Sequence, residues 1–161
     1  MVATMFAWIM ALLLRLQPMD FEDLNLTPVL HLILRLIMSF FGVFGFSIMF
    51  NSPASMAATA ALIGAIANSL RLELVDLTGM PAPAAAFAGA LTAGLLASFI
   101  KENNGYPRIS LTVPSIVIMV PGLYLYRAIY NFGIMALSDA VSWVASAIMI
   151  IIALPLGLIF A

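Results

Sequence analysis

The sequence predicts an all-α integral membrane protein: a bundle of five transmembrane helices, plus an N-terminal helix that lies at the interface or makes a short span. Three observations carry this. Hydrophobic residues make up 65% of the 161 residues and charged residues only 8%, against roughly 45–50% and 25% in soluble domains. A soluble domain of this size has too much surface for its volume to hide so many apolar side chains. The apolar residues also come in long unbroken runs. Such runs suit helices, which satisfy their own backbone in lipid, and not the short alternating strands of a barrel.

The elements follow in order. Met1–Leu16 is apolar but reaches only roughly 24 Å as a helix, less than the ~30 Å hydrocarbon core. It is expected at the interface or against the bundle, with a short span as the other reading. Its only basic residue, Arg15, stands at its far end, the reverse of a secretory signal. Gln17–Pro28 is a polar break carrying Asp20, Glu22 and Asp23, punctuated by Pro18 and Pro28. The chain therefore divides into residues 1–28, an apolar helix with an acidic linker, and a membrane helical domain over 29–161.

Span 1 is expected over about Val29–Phe50, ending at Asn51-Ser52-Pro53, where Ser52 can cap the next helix with Pro53 at its first position. Span 2 follows over about Ala54–Leu72, closed by Arg71, Glu73 and Asp76 and then by Gly79 and Pro81. Span 3 covers about Pro83–Ile100, and Lys101-Glu102-Asn103-Asn104-Gly105 reads as an aqueous turn. Span 4 covers about Leu111–Leu137, with Pro114 and Pro121-Gly122 inside it. Span 5 runs from about Asp139, which suits a helix N-cap, to the end, with Pro155 and Gly157 near its close. Arg15 and Arg71 fall on one side of the bilayer, Lys101 and Arg108 on the other, so the positive-inside rule sets no orientation.

Composition excludes several classes of function. The net charge is −1, and the six Lys and Arg residues form no basic patch, so no nucleic acid is expected as a partner. With no cysteine and a single histidine, His31, no metal site is expected. The chain lacks Gly-x-Ser-x-Gly, His-Glu-x-x-His, a phosphate-binding loop and Gly-x-Gly-x-x-Gly. It carries no catalytic residues by this reading, needs no cofactor and is not expected to be an enzyme.

What remains is polar chemistry inside the spans. Arg35 lies in span 1, one turn after His31 and on the same face. An arginine at that depth snorkels, pairs with protein, or meets a substrate carboxylate. His31 reads as an interfacial residue or as a proton-coupling group. Span 4 is the most informative segment. Pro121 removes a backbone donor and clashes with the preceding turn, and Gly122 permits angles closed to other residues. Together they predict a kink or a broken helix, and broken helices at mid-membrane expose ends that bind ions or anionic groups. Tyr124, Tyr126, Arg127, Tyr130 and Asn131 follow directly, with Arg127, Tyr130 and Asn131 on one face. Asn51 and Asn68 are further polar candidates. Ala57, Ala61, Gly64 or Ala65, and Asn68 recur at helical spacing in span 2. Ala86, Gly89 or Ala90, Ala93 or Gly94, and Ala97 do the same in span 3. Such stripes let backbones approach in lipid, inside the bundle or at an oligomer interface or substrate path.

Gly45-Phe46-Ser47-Ile48-Met49-Phe50-Asn51-Ser52-Pro53, then Ala61-Leu62-Ile63-Gly64-Ala65, then Val120-Pro121-Gly122 with Tyr124 and Tyr126 beyond it, form an ordered set. This set resembles the threonine/serine exporter family over about Phe41–Asn131. More narrowly it is similar to the family's small membrane subunit, the equivalent of the C-terminal half of fused exporters. Asn51, Pro53, Gly64, Pro114, Pro121 and Gly122 match as architecture-bearing positions. Ser115 and Ile118 depart from the pattern, where glycine and proline are frequent, and the segment up to Thr27 is longer than the small subunit suggests.

The resemblance implies export of small polar metabolites: threonine and serine, or dicarboxylates such as succinate. It also implies a second membrane subunit carrying the N-terminal half, ion-gradient driving with protons the expected ion, and a bacterial inner-membrane location. A homo-oligomeric channel and a non-transporting scaffold subunit are the alternatives. The substrate path is expected to involve Arg127, Arg35, Pro121, Gly122, Tyr124, Tyr130, Asn131, Asn51 and Asn68, with His31 in proton coupling.

Overall fold

The computed structural model describes residues 2–15 and 26–161. The acidic linker with Asp20, Glu22 and Asp23 lies outside the described residues. Seven helices follow in order: α1 (Val2–Leu13), α2 (Pro28–Met49), α3 (Ala54–Thr78), α4 (Ala82–Asn104), α5 (Arg108–Val117), α6 (Gly122–Gly133) and α7 (Leu137–Ile159). No strand occurs among the described residues. Among the described residues five segments are long and apolar enough to cross a membrane: Pro28–Met49, Ala54–Thr78, Ala82–Ile100, Arg108–Gly133 and Leu137–Ile159. Helix α1, with 12 residues, is roughly 18 Å long and too short to cross unaided.

The helix ends show how the chain turns. Helix α2 stops where Asn51 takes the left-handed conformation, φ +61°. The Ser52 amide then donates to Ser47 O at 3.1 Å and the Asn51 amide to Ile48 O at 2.9 Å, a Schellman closure with asparagine in place of the usual glycine. Ser52 does not cap α3: the residue before the helix is Pro53, and no side chain caps it. Pro53 fixes the entry angle, so the turn works through backbone geometry alone.

Helix α3 continues six residues past the expected Leu72. Arg71, Glu73 and Asp76 are good or tolerable helix residues and do not end it. Gly79 does, at φ +66°, a conformation a side chain would strain. Helix α4 likewise runs through the expected turn to Asn104, and the chain reverses at Gly105, φ +69°. Asp139 lies in the first turn of α7, not at its cap, and still meets the positive end of the helix dipole.

The contacts group into two compact units, Met1–Leu26 with Pro121–Met149, and Thr27–Val120 with Ile150–Ala161. In the larger unit α3 is central and packs against α2, α4 and α5. Its small-residue stripe is buried: Ala57, Ala61, Ala65 and Asn68 are at most 5% exposed. Ala86, Ala90, Ala93 and Ala97 of α4 are fully buried too. A Cβ added at Gly64 would stand 2.6 Å from Val43 Cγ2 and 3.1 Å from Ser115 Cα. One added at Gly157 would stand 2.6 Å from Phe87 O. These glycines are where α3 meets α2 and α5, and where α7 meets α4, which is the use lipid-embedded helices make of small residues. In the smaller unit α1 packs against α6.

Candidate functional site

The expected fourth span is broken. Helix α5 ends at Val117 and α6 starts at Gly122, with Pro121 preceding it at φ −77°, ψ 51°. Proline supplies no N–H, so a carbonyl about one turn earlier loses its helical donor. The Val117 carbonyl is the one so placed, and inside hydrocarbon a carbonyl without a donor needs protein or water. It takes the Val120 amide at 3.1 Å instead, and Ile116 O takes the Met119 amide at 2.9 Å. The end of α5 thus tightens to bonds three residues apart and satisfies itself. The start of α6 does not. Its first helical bond runs from the Leu125 amide to Pro121 O at 3.1 Å, and no side chain caps it. Gly122, Leu123 and Tyr124 open the helix, and the first amides of a helix lack intrahelical acceptors. Gly122 itself is not needed for clearance or for a positive φ: its φ is ordinary, and an added Cβ meets nothing within 4 Å.

Arg127 lies on α6, just over one turn further along. Its Cζ stands over the Trp143 ring at 4.7 Å from the centroid, within cation–π range. Tyr124 meets the same indole edge to face, with centroids 5.4 Å apart. Asn131 Nδ2 donates to the Arg127 carbonyl at 2.8 Å, which fixes that residue to its own helix. Tyr130 is half-buried on α6. Among the expected residues, then, Tyr124, Arg127 and Asn131 are tied together, and Trp143 of α7 joins them.

Arg35 has a different setting. Its Nη1 donates to Glu73 Oε1 at 2.8 Å and its Nη2 to Asp76 Oδ2, so one cation bridges α2 to two carboxylates on α3. Of the readings open to Arg35, this is protein pairing. Asn68 is buried in the same unit, where its Nδ2 donates to Ser39 Oγ at 2.8 Å and its Oδ1 accepts from Arg71 Nε at 3.1 Å. Asn51 forms the α2–α3 turn. His31 is exposed, with no side-chain hydrogen bond or ion pair among the described residues. No group of His, Asp or Glu suited to a metal ion occurs among the described residues.

Sequence reasoning missed Trp143 and the acceptors of Arg35. Glu73 and Asp76 stand three residues apart, so one helix face carries both, and that spacing was a readable signal. Trp143 gave none: an aromatic residue in an apolar run does not reveal which cation lies beside it.

Comparison with curated proteins finds no match, and neither does comparison with solved structures. A family model described as Threonine/Serine exporter, ThrE, matches residues 35–161. That match covers most of the chain, including both broken and unbroken spans, and the chain belongs to the threonine/serine exporter family.

Proposed function

We propose that this protein is one half of a secondary exporter, working with a second membrane subunit that carries the N-terminal half of the transporter. Its substrates are small polar metabolites bearing a carboxylate, of the threonine/serine type, with dicarboxylates such as succinate the wider class. An ion gradient, with protons the expected ion, drives alternating access across a bacterial inner membrane. Membership of a transporter family argues against an enzyme. Five spans put the two ends of the membrane domain on opposite faces of the bilayer, which suits an inverted-repeat partner of similar size.

The observation that carries this reading is the start of α6. An uncapped helix N-terminus and, one turn on, a guanidinium without a carboxylate partner among the described residues lie on one helix. Both favour a carboxylate, the first through its amides and dipole, the second through charge and a two-pronged donor edge. Tyr124, Tyr130 and Asn131 flank Arg127 on the proposed path. Arg35, Asn51 and Asn68 stay outside it, since their polar groups already serve the α2–α3 pair and its turn.

The test is flux of L-threonine and succinate from vesicles holding the chain with and without its partner subunit. Flux is expected only with both. Flux from the chain alone would make it a homo-oligomeric channel or carrier, and no flux from either preparation would make it a scaffold. Arg127→Gln is expected to lower flux at least tenfold at unchanged expression. Arg127→Lys, which keeps the charge and loses the fork, should fall between Gln and wild type. Wild-type flux in Arg127→Gln would remove Arg127 from the path.

A further inference from the structure

We infer that Trp143 is a positioning residue for substrate: its indole holds the Arg127 guanidinium by a cation–π contact and leaves N–H donors for the substrate carboxylate. The inference rests on the reading of Arg127 given above. It adds a residue from α7, and it names the part of the substrate that is recognised.

A guanidinium offers a ligand two kinds of surface. It has a planar cationic face and five N–H donors around its edge. Arg35, Arg71 and Arg108 all use that edge on protein acceptors: Glu73 and Asp76, Asn68, and Leu158 O at 3.0 Å respectively. Arg127 differs. Its side-chain contact is the ring of Trp143, 4.7 Å from Cζ to the centroid, and an aromatic ring accepts no conventional hydrogen bond. Among the described residues no acceptor takes up the edge. A carboxylate lies close in sequence to that ring, since Asp139 is one helical turn before Trp143 on α7, yet it does not pair with Arg127. Among the described residues, then, Arg127 is held by an aromatic ring while Asp139 stays apart.

The ring is itself held. Tyr124 stands three residues before Arg127 on α6 and meets the indole edge to face at 5.4 Å. Trp143 thus receives two side chains from one face of α6, which fixes both the ring and the guanidinium above it. Asn131, bonded to the Arg127 carbonyl, steadies the backbone from the other direction. A long arginine stem loses much rotamer freedom when it binds a ligand. Holding it beforehand removes part of that cost, so the expected signature is affinity and not turnover. The ligand class is an organic carboxylate small enough to be met by one fork.

The experiment measures L-threonine flux over a range of concentrations, in vesicles holding the full chain with its partner subunit, beside the amount of each variant in the membrane. Trp143→Leu is expected to raise KM about tenfold with the maximal rate within about twofold. Trp143→Phe keeps a ring face and should recover most of the loss. Threoninol lacks the carboxylate, and should compete with threonine in Trp143→Leu nearly as well as threonine competes with itself, whereas in wild type it competes poorly. Should Trp143→Leu fail to reach the membrane, Trp143→Met keeps apolar bulk without a ring and is read in the same way. An unchanged KM in these variants, with Arg127→Gln impaired, overturns the role of Trp143 and leaves the Arg127 reading standing. Wild-type kinetics in Arg127→Gln as well overturns both. A fall in maximal rate at constant KM makes Trp143 merely structural.

Discussion

Arg35 and Arg127 are both cations on apolar helices, and their surroundings differ in kind. Arg35 sits where α2 crosses α3, with two carboxylates on its donor edge and closely packed glycines and alanines along the same helix pair. Arg127 sits on a half-length helix, with an aromatic ring against its guanidinium and no carboxylate partner among the described residues. Polar groups in the larger unit hold helices together, and their loss should appear as instability. Around α6 the polar groups line the proposed substrate path, and on that proposal their loss should appear in transport.

The sharpest way to break that contrast is to crowd the packed side. Gly64→Leu drives a side chain against Val43 and the Ser115 backbone. It should destabilise the protein near the upper end of the ~1–3 kcal/mol typical of overpacking, read as a lower melting temperature in detergent. Gly89→Leu meets Ala67 O and Arg71 Cβ at 3.1 Å and should follow closely. Wild-type stability in both would mean that the contacts of α3 with α2, α5 and α4 yield freely, and the packed side would lose its meaning.

Next comes the ion triad. Arg35→Gln leaves Glu73 and Asp76 facing each other without a cation. The partial exposure of all three side chains puts the cost between the ~1 kcal/mol of an exposed pair and the ~3 kcal/mol of a buried one. Adding Glu73→Gln and Asp76→Asn to Arg35→Gln should return part of that stability, because the uncompensated charges go too. If the triple variant is worse than the single one, the carboxylates have work apart from Arg35.

The smallest effects belong to the α6 side. Gly122→Ala should change stability by less than about 0.5 kcal/mol and leave flux near wild type, since its Cβ meets open space and its φ is ordinary. Met135 ends α6 at φ +61°, with the Ala136 amide on Asn131 O and its own amide on Phe132 O. Met135→Gly should stabilise by about 0.5–1 kcal/mol in a thermal melt, the relief of left-handed strain exceeding the extra freedom of the unfolded glycine.

Much of this fold was legible from the chain. Apolar runs located all five spans, and the Pro121-Gly122 break stood out because proline has no donor. The errors cluster at helix ends. Charged residues were read as stops at Leu72 and Ile100, whereas α3 and α4 run on to glycines whose positive φ ends them. Asn51 is the instructive case. It was singled out as polar, yet its place in the fold follows from tolerance of a left-handed backbone, a property the side chain does not advertise. The candidate site was half legible: Arg127, Tyr124 and Asn131 share a helix and follow from spacing, but Trp143 comes from another span. Pairing between spans is set by packing, which leaves no period in the sequence.

The ion triad also has a consequence during synthesis. Arg35 and Glu73 are 38 residues apart, so at ribosomal rates of ~5–20 residues per second the arginine is made roughly 2–8 s before the first of the two α3 carboxylates it pairs with. Through that interval α2 has neither of its α3 partners, and an 18-residue window with a mean hydropathy of 2.1 supplies the drive into the bilayer. Helix α3 carries Arg71, Glu73 and Asp76, and its apolar 18-residue window has a mean hydropathy of only 1.3, the lowest of the five spans among the described residues. It arrives to find Arg35 already in the membrane and a short turn at Asn51 that returns it to α2. The first span thus acts as an internal receptor for the second, and the order of the two in the gene is part of how the weaker one gets in.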